Sequence, residues 1–98
     1  MSGTVTPNPT KTLLIDPPIT DSKGIQHDQF TVRAPTFNEI MRARVTGLKQ
    51  AKADDLKELA DYYIAAQLVV SVGNVPMDVV QKMDGHIVEQ AGTFMFSF

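Results

Sequence analysis

The sequence has no cysteine and no tryptophan, and only two histidines and two tyrosines among its 98 residues. Without cysteine there is no disulfide framework, no thiolate zinc site and no thiol chemistry. His27 and His86 have no ligand partner one helical turn away, whereas a metal site needs several converging donors, so both read as surface histidines. Positive charge is not in surplus: nine Lys and Arg face eleven Asp and Glu, for a net charge of −2. That argues against nucleic-acid binding, which rests on neutralising phosphates. Long hydrophobic runs are also lacking. The longest, Tyr62 to Val72, is broken by Gln67 and Ser71 and falls short of the roughly 20 residues that cross a bilayer. The first eleven residues lack the apolar core of a signal peptide and read as a flexible arm. The chain is therefore expected in the cytoplasm, off the membrane. The six glycines are isolated, which excludes a phosphate-cradling loop. No serine sits in a nucleophile elbow or beside a base. Asp54, Asp55, Glu58 and Asp61 alternate with Lys52 and Lys57, as on a solvated helix face. The chain is expected to be non-catalytic, with no cofactor and no metal.

What is present suits one small α+β domain over residues 12–98, an N-terminal hairpin followed by about four helices. Leu13, Leu14 and Ile15 begin a strand that meets Pro17 and Pro18, so it is an edge strand or stops at Asp16. Asp21-Ser22-Lys23-Gly24 is turn chemistry. Phe30, Val32 and Ala34 alternate with polar residues at strand period. The hairpin is expected over 13–33, pairing Leu13–Thr20 with Ile25–Arg33. Thr36 and Glu39 form a capping box for a helix over 37–50, whose Phe37, Ile40, Met41, Val45 and Leu48 share a face. Arg44 falls inside that stripe and is expected to snorkel out of the core. Gly47 weakens the helix near its end. A second helix is expected over 54–72, started by Asp54 and Asp55 and ended by Gly73 as its C′ residue. A short helix over 76–83 starts with Pro76 at its first position, and Asp84 caps a last helix over 85–97.

The apolar side chains are unevenly spread. Residues 62–72 are apolar nearly all round, and a helix of that kind must be enclosed. A domain this small has little with which to enclose it. The segment Phe94-Met95-Phe96-Ser97-Phe98 adds adaptable anchors near a terminus. Tyr62, Leu68, Val69, Val72, Phe94, Met95, Phe96 and Phe98 are therefore the candidate partner-binding residues, and a domain built to associate, including with copies of itself, is expected.

The order of these features resembles a known family. A Pro-containing strand, a Gly turn and the step Arg33-Ala34-Pro35-Thr36 lead into a capped helix. An apolar helix, the stretch Gly73-Asn74-Val75-Pro76, a short Val79-Val80-x-x-Met83 helix, Asp84 and a Phe-rich last helix follow. Over about Ile15 to Phe96 this pattern resembles the small tail assembly chaperones of contractile- and long-tailed bacteriophages. The resemblance implies a non-catalytic protein that coats the long, apolar tape-measure protein in the bacterial cytoplasm before the tail tube polymerises around it. The competing readings are a structural tail or connector component, and a small DNA-binding regulator, for which Arg42 and Lys49 alone make a thin recognition face.

Overall fold

The computed structural model describes residues 9–97. An antiparallel hairpin, β1 (Thr10–Thr20) and β2 (Gln26–Arg33), precedes four helices: α1 (Phe37–Ala53), α2 (Ala60–Gly73), α3 (Met77–Lys82) and α4 (Gly85–Phe96). A 3-10 turn over Lys57–Leu59 leads into α2. The expected α+β class with its N-terminal hairpin and four helices is what the chain forms. Residues 1–8 of the expected arm lie outside the described residues. Thr10 and Lys11 belong to β1 and pair with Arg33 and Val32.

The hairpin register puts Leu13 opposite Phe30 and Lys11 opposite Val32. Alternation then turns Leu13, Ile15, Phe30 and Val32 into the core. The outer face carries Thr12 and Thr31, whose hydroxyl oxygens lie 2.8 Å apart. β1 does not stop at Asp16. It continues past Pro17 and Pro18 to Thr20, because the pairing skips between Leu14 and Ile19 where the prolines have no amide to give. At the turn, the buried Asp21 carboxylate accepts from the backbone N–H groups of Lys23 and Ile25 and lies 2.9 Å from His27 Nε2. His27 is thus a half-buried turn residue, and only His86 matches the expectation of an exposed histidine. The His27 contact and the Ile25 amide hold the Asp21 carboxyl below the usual carboxylate range. Gly24 takes a φ of 84°, which closes the turn at no steric cost.

α1 starts as its sequence dictates. The Thr36 hydroxyl accepts from the Glu39 amide, and the Glu39 carboxylate accepts from the Thr36 amide. Glu39 also takes a bidentate pair from Arg33, at 2.8 and 3.0 Å, which ties the end of β2 to the helix start. Arg33 is the main reason that the Glu39 carboxyl is held down at about 2.

Helix ends differ from expectation at Asp54, Asp55 and Gly73. Asp54 and Asp55 end α1 instead of starting the next helix: Asp54 is its C-cap and Asp55 turns left-handed with φ 57°. An acid is poorly placed at a helix C-terminus, and Asp54 is compensated by accepting a 2.9 Å hydrogen bond from the Tyr63 hydroxyl. Gly73 is the last residue of α2, and Asn74 takes the left-handed cap with φ 56°. Gly73 is needed small, because a Cβ there would stand 3.0 Å from the Phe30 ring. Pro76 is the N-cap of α3 and not its first residue. Asp84 caps α4 as expected, accepting from the His86 amide.

α2 is the central helix. α1, α3, α4 and β2 all pack on it, and Ile64, Ala65, Leu68 and Val69 are buried among them. The core is completed by the inward face of the hairpin, Val75, Val79, Val80 and Met83 from the α3 region, and Val88, Ala91 and Met95 from α4.

Candidate functional site

The eight candidate binding residues do not form one surface. Leu68, Val69 and Met95 are fully buried, which corrects their assignment as partner-binding residues. Their side chains are spent inside the domain, because four elements close around α2 where one small chain was expected to leave it open. Val72 and Phe94 are half-buried against the same core. Phe98 lies outside the described residues. Tyr62 and Phe96 are exposed, at 52% and 43%, and the structure brings them together from α2 and α4.

They face each other across a groove of about 580 Å³, whose walls also carry Asp61, Glu89 and Thr93. The groove exists because α4 crosses α2 closely: a Cβ on Gly92 would lie 3.0 Å from that of Ala65. On the other side of Tyr62 is a cleft of about 300 Å³ between α2, α3 and the start of α4. Leu59, Tyr63, Met77, Met83 and Val88 line it, with Gln50, Gln67 and Gln81 supplying amides. Among the described residues no acid, base or histidine lines this cleft. Asp54 pushes the phenol of Tyr63 up, so the hydroxyl stays protonated and donates. Such a lining is complementary to apolar surface.

A third surface lies on α1. Phe37, Met41, Val45 and Leu48 were expected to face the core, and all four are exposed, Phe37 at 78% and Val45 at 63%. α1 packs instead through Ala43, Gly47 and Ala51, one residue per turn. The reason is close approach. A Cβ on Gly47 would stand 2.8 Å from the Ile64 backbone nitrogen, so α2 lies against the α1 backbone itself. The small residues win the interior position because only they admit that distance, and the large ones are left outside. Arg44 needs no snorkelling, since the stripe it interrupts faces outward. The signal for this surface was the Ala43-x-x-x-Gly47-x-x-x-Ala51 spacing, which sequence reasoning passed over in favour of the larger side chains.

Among the described residues no three His, Cys, Asp or Glu side chains converge as a metal site would need. None of the helices described is long and apolar enough to cross a membrane. The Asp21–His27 contact braces the hairpin turn, and the Arg33–Glu39 ion pair braces the entry to α1. Comparison of the chain with protein-family models, with curated proteins and with solved structures finds no match in any of the three.

Proposed function

We propose that the chain is a non-catalytic tail assembly chaperone, which holds the apolar tape-measure protein of a long-tailed bacteriophage in the cytoplasm of the bacterial host until the tail tube forms. The observation that carries this reading is the cleft between α2, α3 and α4. Two methionines and two tyrosines line it, and among the described residues no charged side chain does. Methionine is unbranched and polarizable, so it adapts to varied apolar segments, and tyrosine adds area at low entropic cost. A chaperone needs that tolerance, together with a contact loose enough to release its client. The order of elements from Ile15 to Phe96, with its Arg33-to-Thr36 step into a capped helix, supports the same reading.

The test is co-expression of the full chain with a tape-measure protein fragment, followed by sizing chromatography. Co-elution, with the fragment aggregating when expressed alone, is the expected result. Tyr63→Ala with Met77→Ala should reduce the retained fragment several-fold without unfolding the domain. A fragment that elutes apart from a well-folded chain overturns the proposal.

A further inference from the structure

The α1 seam and the Tyr62–Phe96 groove are both apolar at their centre, both open, and opposite in charge. We propose that the α1 seam of one copy docks in the groove between α2 and α4 of a second copy, making a head-to-tail contact that leaves one free surface at each end.

At about 100° per residue, Phe37, Met41, Val45 and Leu48 share one narrow stripe of α1. The same rotation sets Arg44 on one side of the stripe, Arg42 and Lys49 on the other, and Lys52 at its C-terminal end. All four cations are exposed. The only acid on α1, Glu39, is engaged by Arg33. α1 thus carries a net charge of +3, and since the whole chain carries −2, the remaining residues carry −5. The groove lies in that acidic remainder. Tyr62 and Phe96 form its walls, Asp61 and Glu89 stand along it, and among the described residues no cation lines it, Lys11 lying in the adjoining hollow beyond Glu89.

Charge selects the pairing. Two α1 seams face to face would crowd Arg42, Arg44 and Lys49 of both copies together. Two grooves face to face would oppose Asp61 and Glu89 with their own counterparts. Only seam against groove sets cations against carboxylates around an apolar centre. The contact is short, since Phe37 to Leu48 spans about 16 Å and Glu89 to Phe96 about 10 Å of helix. It is therefore weak and salt-sensitive, below the size of a permanent interface. A heterologous contact propagates until it closes into a ring, so species beyond the dimer form. The pairing does not depend on the tail-chaperone reading.

The test is sedimentation velocity of the full chain from about 10 to 500 μM, the range in which a weak contact of this kind is populated. Sedimentation past the dimer is expected, with the association constant falling about tenfold or more between roughly 50 and 500 mM NaCl. Arg42→Glu with Lys49→Glu, and separately Asp61→Lys with Glu89→Lys, should each give a monomer. All four positions are exposed, so circular dichroism should not change. Mixing the two variants should restore association, because opposite charges again face each other. Should a reversal fail to fold, Arg42→Gln and Glu89→Gln carry the same test, each with a smaller loss. A chain monomeric throughout, a dimer that survives the groove variant, or a mixture that stays monomeric overturns the proposal.

Discussion

Glu39 does two jobs at one position. Its carboxylate completes the capping box and takes the bidentate pair from Arg33. Its pKa of about 2 in the folded chain lies below the ordinary 4.5, so its contribution is full above about pH 4.5 and is lost as the pH falls towards 2. Arg33 is partly open to solvent, and screening keeps the gain to about 1–2 kcal/mol. Glu39→Gln keeps the cap geometry and should lower stability by that amount at pH 7. Urea melts at descending pH should show the two proteins converging near pH 2. Asp21 shifts in the same direction, so its brace on the hairpin turn is also lost in acid. Gly47 is a residue whose value lies in what it lacks. Alanine would favour the helix by about 1 kcal/mol, but its methyl would meet the Ile64 backbone at 2.8 Å. Backbone cannot step aside as a side chain can, so Gly47→Ala should destabilise by about 1–3 kcal/mol despite its better propensity, as a denaturant titration would show.

The helices and strands were largely legible as elements, and less so in how they face one another. The Thr36–Glu39 box, the alternation of Phe30 and Val32, and Asp84 before α4 are local chemistry, and local chemistry is written in neighbouring residues. The α1–α2 contact is not local. Its interior face is set by how near two backbones come, and Ala43, Gly47 and Ala51 look like filler until that distance is known. The same misjudgement placed Leu68, Val69 and Met95 on a binding surface: the wrapping of α2 by elements distant in sequence is invisible in its own residues. Of the candidate residues, Tyr62 and Phe96 are the exposed pair, and at about 100° per residue Phe96 falls beside Glu89 at the edge of the face of α4 that holds Ala91, Gly92 and Met95. The α2–α3 connection gives a cleaner test at the scale of an element. Asn74 holds a left-handed conformation that branched side chains resist. Asn74→Gly should leave the thermal midpoint nearly unchanged, whereas Asn74→Val should cost about 1–2 kcal/mol and loosen the end of α2 in hydrogen exchange.

For the molecule as a whole, the interior is closed but the exterior is not finished. Phe37, Met41, Val45 and Leu48 add nothing to the core, so replacing Phe37 and Val45 together by serine should reduce binding of a hydrophobic dye while leaving the thermal midpoint within a few degrees. Leu68→Ala, at the centre of the packed elements, should instead cost about 2–5 kcal/mol. The two outcomes separate surface kept for association from surface kept for folding. The hairpin adds a constraint of another kind. β1 packs against α3 and α4, which are made after α1 and α2. At roughly 5–20 residues per second, a ribosome needs about 3–13 s to go from the end of β2 to the end of α4. Early in that interval Leu13, Ile15, Phe30 and Val32 lack the helices that cover them in the folded chain, and two strands alone are barely stable in water. The native cover of the hairpin is thus complete only once α4 has been made, and until then the nascent chain carries hydrophobic strands in need of shelter.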